Sequence, residues 1–296
     1  RLARELVQEH HYDLMLLDLS MPRMTGEEVV RWIQQHPEHA TGLRVVVVSA
    51  WAGDKRPVLQ ELGITDVLPK PFRRYAYGPV WRNEKPGPGR FREFWQCDAD
   101  TIGAPGYHAD AEMIAMGAEA LRAVGMAPGE FVIRVNTRRL LNGVLDGVGA
   151  TSADTRLAIL RALDKLDRLG PEGVADLLGA GRMDESGDYT KGAGLGASEV
   201  TRVLAFAQAG ADTRAETLAN LVKATGDTEE GKAGLVELEA IAKALEALGA
   251  PEGDVVIDPS VVRGLEYYTG PVYEAELLRE VTGEDGKTYR IGSIGG

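Results

Sequence analysis

The hydrophobic and polar positions change period several times along the chain, and those changes mark its elements. Residues 77–96, YGPVWRNEKPGPGRFREFWQ, alternate with period two on either side of KPGPG. Two prolines and two glycines within five residues cannot continue a strand, so the pattern predicts a β-hairpin with arms at 77–84 and 90–96. Alternation puts Arg82 and Glu84 on one face of the first arm. On the second arm it puts Arg90, Arg92 and Gln96 on one face, with Phe91 and Trp95 on the other. The arrangement reads as an anion-binding platform with a packed aromatic back, and a solvated edge hairpin would show the same pattern.

Upstream, short apolar runs alternate with helical periods. Residues 1–10 are helical by pattern, 13–19 (DLMLLDL) a strand, 26–35 a helix, 44–49 (RVVVVS) a strand, 57–62 a short helix and 64–68 a strand. This order predicts a parallel α/β sheet, and strands so uniformly apolar are expected to be covered on both faces. Asp18, Ser49 and Lys70 lie at or just beyond the strands' carboxyl ends, where open α/β sheets bind ligands. Taken singly, each has a plain structural reading: a loop cap, a small strand-end residue and a surface charge.

Downstream, Gln96, Asp98 and Asp100 continue one strand face. A helix is predicted over 108–124, closed by Gly125, and a strand over 131–135 that leads into another helix. From about 151 to 250 the period is helical, over 155–169, 198–209, 214–224 and 235–248, with stops at Gly170-Pro171 and Gly249-Ala250-Pro251. Strand character returns at 254–262, and 280–289 holds a polar turn, GEDGK. The glycine-rich GAGLGAS lacks the GK[ST] ending of a phosphate loop and reads as a connection.

Composition narrows the classes. There is one cysteine, Cys97, which excludes an internal disulfide and a cysteine-rich metal site. The five histidines show no ligand spacing with one another, so no metal site is expected. No apolar run reaches 18 residues and the first residues are charged, so neither a spanning helix nor a signal peptide is expected; the reading is a cytoplasmic protein without a membrane partner. A net charge of −12 argues against a non-specific nucleic-acid binder. Residues 73–92 reverse it locally, with Arg73, Arg74, Arg82, Lys85, Arg90 and Arg92 against Glu84.

The hairpin and the octet Arg263-Gly264-Leu265-Glu266-Tyr267-Tyr268-Thr269-Gly270 together resemble the histidyl-tRNA synthetase family, over about residues 73–296. The hairpin looks like motif 2 of the class II synthetases, and the octet like a signature of the histidine enzymes. The resemblance implies ATP-dependent activation of L-histidine and its transfer to tRNA(His), with ATP and Mg²⁺ as substrate and counter-ion. It implies Arg82 and Arg263 as catalytic residues on the ATP α-phosphate, with Glu84 near the adenine. Arg90 and Arg92 would lie toward ATP and the tRNA acceptor end. Gln96 and Asp100 would accept the substrate ammonium, where many relatives have Glu for Asp100. Tyr268 would read the imidazole, Tyr267 would support it, and Arg263 would also face histidine. The family forms homodimers through a first motif upstream of motif 2, and receiver-like residues stand there in this chain. The third motif would fall beyond residue 296, so little pyrophosphate exchange is expected of these residues alone. A non-catalytic paralogue, the regulatory subunit of ATP phosphoribosyltransferase, shares the fold and is the alternative.

Residues 1–72 resemble something else. Asp18 in LLDLSMPRMTG, Ser49 in VVVVSA and Lys70 in PKPF resemble the receiver domain of response regulators. That implies Asp18 as phosphoacceptor, with Ser49 and Lys70 on the phosphoryl group. Nothing before Asp13 supplies the acidic pair that binds Mg²⁺ in receivers, so phosphorylation is not expected, and a phospho-signalling fusion is a weaker reading. The organisation expected is a partial receiver at 1–72, a synthetase core at 73–150, a mostly helical insertion at 151–250 and the core resumed at 251–296. The fold class is thus α/β followed by an α+β antiparallel-sheet core, with the join at 69–75 and no linker.

Overall fold

The computed structural model describes residues 2–21, 24–50, 54–83, 85–87, 89–183, 187–225, 228–261, 268–283 and 285–296. The chain divides into two compact units, residues 1–85 with 91–109 and residues 86–90 with 110–296.

The first unit opens with α1 (Leu2–Glu9), β1 (Leu14–Leu17), α2 (Gly26–Gln35), β2 (Arg44–Ser49), α3 (Arg56–Glu61) and β3 (Val67–Pro69). The three strands pair in parallel in the order β1-β2-β3. Thr25 and Glu28 form a reciprocal capping box at the start of α2. Gly26 is required by space: a Cβ there would lie 2.4 Å from the Asp18 carbonyl oxygen. Leu17, Val29, Val30, Val47, Leu59 and Val67 form the core between the sheet and its helices. The third strand begins three residues later than its apolar run suggested.

The other face of this sheet departs from the expectation of cover on both sides. Leu14 and Leu16 are 53% and 52% exposed, and with Val46, Leu68 and Phe72 they line an open groove. On that face Val46 and Val48 of the central strand are buried while Leu14 and Leu16 of β1 are not, so the cover stops short of the outer strand.

The unit continues with β4 (Phe72–Trp81) and β5 (Glu93–Ile102), an antiparallel pair that forms its own two-stranded sheet. The hairpin is longer than its sequence signal, with an unbroken register from Phe72↔Ile102 to Trp81↔Glu93.

The second unit holds most of α4 (His108–Ala123), then β6 (Phe131–Thr137), α5 (Arg138–Gly147), α6 (Ala153–Leu163), α7 (Leu166–Leu178), β7 (Gly181–Met183) and β8 (Tyr189–Lys191). It ends with α8 (Ala197–Ala207), α9 (Arg214–Thr225), α10 (Glu229–Ala247), β9 (Val255–Ile257), β10 (Pro271–Thr282) and β11 (Thr288–Gly295). Its main sheet has the order β11-β10-β6-β9, antiparallel except for the β6–β9 pair. Phe131, Ile133 and Val135 on one face of β6 are at most 1% exposed, as are Ile114 of α4 and Leu140 of α5. Gly170, at φ 66°, ends one helical stretch and Pro171 starts the next, so α7 is two helices that meet at the stop read from the sequence.

Helix α10 begins six residues before the predicted 235. Its first turns hold Gly231 and Gly234, which read as helix-poor. In the fold the contact with α5 needs a glycine on each helix: a Cβ on Gly143 of α5 would lie 2.4 Å from the Gly231 nitrogen, and one on Gly234 of α10 would lie 2.7 Å from the Leu140 nitrogen. The Thr228 hydroxyl caps the helix through the Gly231 amide.

Candidate functional site

At the carboxyl ends of the parallel strands, Asp18 and Lys70 meet. The Lys70 ammonium lies 2.5 Å from Asp18 Oδ2, and the Ser20 amide donates to Asp18 Oδ1 at 3.1 Å. Burial works to raise the Asp18 carboxyl, but the Lys70 and Ser20 hydrogen bonds outweigh it and hold it below its ordinary value. Ser49 is fully buried and its carbonyl accepts from the Lys70 amide at 3.1 Å. The three residues singled out from the sequence thus occupy one end of the sheet. Among the described residues, no group of three or more His, Cys, Asp or Glu side chains is arranged to hold a metal ion.

On the hairpin, the ladder sorts the side chains by face. The register puts Arg74, Val80, Phe94, Gln96, Asp98 and Asp100 on one side, and Arg82 and Arg92 extend that side beyond the strands through the Arg82 amide bond to the Arg92 carbonyl. Arg82 Nη2 donates to Gln96 Oε1 at 3.1 Å, and its guanidinium lies 5.2 Å from the centre of the Phe94 ring. Arg74 pairs with Asp100 at 3.2 Å and with Asp98 at 3.5 Å. Four of the residues picked from the sequence, Arg82, Arg92, Gln96 and Asp100, therefore share one polar face, with Arg74 as a partner of Asp100 that sequence reading missed. Arg90 sits in the turn, bridged to Gly87. Glu84 lies outside the described residues.

The opposite face corrects the expectation of a packed aromatic back. Tyr75, Tyr77, Trp81 and Trp95 share it, at 87%, 67%, 68% and 62% exposure, and Phe91 is 64% exposed. Tyr77 and Trp95 lie side by side, with ring centres 4.9 Å apart and their planes tilted by 42°. A two-stranded ladder provides backbone pairing without a third layer to close over its rings.

In the second unit, Tyr268 is 48% exposed and lies just before β10. Arg263 and Tyr267 lie outside the described residues. The flanks of that segment are tied to β6. Asn136 donates to the carbonyls of Pro259 and Val261, at 3.1 and 3.0 Å. The Arg138 amide donates to the Gly270 carbonyl at 3.2 Å, and the Arg138 side chain to the Tyr268 carbonyl at 3.5 Å. On β6, Arg134 pairs with Asp258 at 2.5 Å and with Glu276 at 2.9 Å. The sequence pattern did not reveal these partners; two polar residues, Asn136 and Thr137, ending an apolar strand were the available signal.

Comparison with known proteins places this architecture. Residues 65–278 match the histidyl-tRNA synthetase family, and residues 1–76 match the response regulator receiver domain. The two matches overlap where β3 passes into β4. Among curated proteins, the histidine–tRNA ligase of Caulobacter vibrioides is 59% identical over 232 residues, covering 78% of this chain and 47% of that protein. That of Jannaschia sp. is 56% identical over 237 residues, covering 79% and 47%. Among solved structures, histidyl-tRNA synthetase from Nostoc sp. PCC 7120 aligns with a TM-score of 0.58 at 26% identity, over 85% of this chain and 48% of that one. A Bacillus halodurans protein described as an ATP phosphoribosyltransferase regulatory subunit/histidyl-tRNA synthetase aligns with a TM-score of 0.55 at 25% identity, over 71% and 48%. The mixed sheet and long hairpin are thus those of a class II synthetase fold. The chain belongs to the histidyl-tRNA synthetase family, with a receiver-domain match at its start, and spans about half the length of the curated relatives it matches.

Proposed function

We propose that residues 73–296 are part of the catalytic core of a histidine–tRNA ligase, which activates L-histidine with ATP and passes it to tRNA(His). The observation that carries this reading is the 59% identity over 232 residues to a curated histidine–tRNA ligase. The shared polar face of Arg82, Arg92, Gln96 and Asp100 supports it. The proposed organisation is a partial receiver at 1–72, core at 73–150, insertion at 151–250 and resumed core at 251–296, in a cytoplasmic protein. A homodimer is part of the reading for the whole enzyme.

In the proposed chemistry the histidine carboxylate attacks the α-phosphorus of ATP and pyrophosphate leaves. A terminal hydroxyl of tRNA then attacks the adenylate's carbonyl carbon and AMP leaves. The first transition state gathers negative charge on phosphoryl oxygens, and a guanidinium already in place lowers its energy without reorganisation. Arg suits this better than Lys because its planar fork bonds two oxygens at once. Arg82 takes this role, steadied by Gln96 and the Phe94 ring, and Arg263 is assigned to the same phosphate. Gln96 and Asp100 supply acceptors to the ammonium, for which Arg74 must yield Asp100. Arg90 and Arg92 face ATP and the acceptor end, and Glu84 the adenine. The Tyr268 hydroxyl distinguishes imidazole from rings that cannot hydrogen-bond, with Tyr267 supporting it. Mg²⁺ accompanies ATP as its counter-ion.

The test replaces the corresponding segment of the Caulobacter vibrioides relative with residues 73–296 and measures histidine-dependent ATP–pyrophosphate exchange. Exchange within about tenfold of the parent is expected, with Arg82→Ala lowering kcat/KM by ~10²–10³. A chimera that binds histidine but exchanges nothing would instead favour the regulatory paralogue.

A further inference from the structure

On the polar face of the hairpin, one guanidinium serves two carboxylates. Arg74 of β4 stands directly opposite Asp100 of β5, and Asp98 lies one step along the same face, opposite Ala76. The Arg74 Nε lies 3.2 Å from Asp100 Oδ2, and its Nη2 lies 3.5 Å from Asp98 Oδ2. The two contacts use different nitrogens of the planar fork, so one can be lost while the other is kept. All three side chains are nearly half exposed. Pairs so open to water hold weakly, and changing partners there costs about fivefold or less.

The charges of this set do not cancel. Two carboxylates against one guanidinium leave one negative charge. The carboxylates repel each other, and a second cation that joins them relieves the repulsion. The ammonium of an amino acid is such a cation and makes the set neutral. Arg74 also lines the open groove beside Leu68 and Phe72, so its side chain is not walled in.

We propose that Arg74 is a positioning residue that occupies Asp100 in the free chain and hands it to the substrate ammonium, while Asp98 retains the displaced guanidinium. The inference rests on the functional reading above, in which Asp100 accepts the ammonium of histidine. The handover makes Asp100 selective. A ligand with an ammonium competes for the carboxylate, whereas one without it leaves Arg74 in place. A Lys at this position would offer a single point charge, which could not hold one carboxylate while releasing the other.

Two measurements test it. In the whole 296-residue chain, the nitrogen NMR signal of the Arg74 Nε is identified by its loss in Arg74→Gln. It is expected to shift in Asp100→Asn and to stay in place in Asp98→Asn. In the chimera described above, Arg74→Gln is expected to lower KM for histidine about threefold, while KM for ATP stays within about twofold. Asp98→Asn is expected to raise KM for histidine about threefold, because the guanidinium then has only Asp100, and to have no effect once Arg74→Gln is present. An Nε signal unmoved by Asp100→Asn would overturn the pairing. A KM for histidine that stays or rises in Arg74→Gln, or an Asp98→Asn effect that persists without Arg74, would overturn the handover. If Arg74→Gln does not fold, Arg74→Met, which keeps the apolar stem, is decided by the same outcomes. A wild-type chimera without histidine activation would sink the functional reading alone, since the NMR signals still decide whether Arg74 holds Asp100.

Discussion

At the scale of single residues, charge and burial decide what each candidate can do. Burial raises the Glu237 carboxyl above its ordinary value; the Thr137 hydrogen bond and Arg139 oppose this, and the Asp110 and Glu230 carboxyls add to it. Asp110 is itself raised by burial. A raised carboxyl means that the folded chain holds its proton more tightly than the unfolded one. The associated stability is fully present below the ordinary value of 4.5 and is lost as pH rises through the raised folded value. Glu237→Gln removes the ionisation, so its stability relative to wild type should improve between pH 4 and pH 8, read from urea midpoints. Parallel curves for the two proteins would show that Glu237 does not titrate in this way. Arg82, Gln96 and Asp100 could be named from sequence because the family resemblance singled them out and alternation assigned their strand faces. Asn136 and Glu237 could not, because their partners lie 123 and 100 residues away.

At the scale of elements, the hairpin shows the limit of periodicity. The alternation correctly separates the polar face from the aromatic one, since strand geometry alone fixes which side chains go together. It does not say whether another layer covers either face. The aromatic face of β4 and β5 is open, so its rings add little to stability. Trp95→Thr, which keeps a strand-favouring residue, should change the unfolding free energy by less than about 1 kcal/mol. Phe206→Ala, at a fully buried ring of α8, should cost about 3–5 kcal/mol. Trp95→Thr should also reduce binding of a fluorescent hydrophobic dye. A loss above 2 kcal/mol for Trp95→Thr in chemical denaturation would mean that the ring is packed. Helix α10 makes the converse point: Gly234, which argues against a helix locally, leaves the space in which this one approaches α5.

At the scale of the whole molecule, the two compact units each carry a core. Leu59 in the first and Leu238 in the second are fully buried. Each Leu→Ala substitution should cost about 2–5 kcal/mol. Chemical denaturation should resolve two transitions, with Leu59→Ala lowering one midpoint and Leu238→Ala the other. One transition that both substitutions shift equally would show that the units unfold as one. Nothing in the described residues is a helix long and apolar enough to cross a membrane.

The sequence by itself determined the order of the elements through β6, the parallel sheet at the start, the reversal at KPGPG, the helical middle and both family resemblances. These rest on local periods, turn residues and short motifs, which act over a few residues. It also placed Asp18 and Lys70 at one sheet end, because parallel strands bring their carboxyl ends together. Only the tertiary structure decided which apolar faces are covered, as at Leu14, Leu16 and Trp95, and which carboxylate meets which guanidinium, as with Arg74 and Asp100. It alone showed that Asn136 holds the carbonyls of Pro259 and Val261 and that Glu237 meets Thr137. Cover and pairing depend on residues distant in the chain, and no local pattern encodes the distance between them.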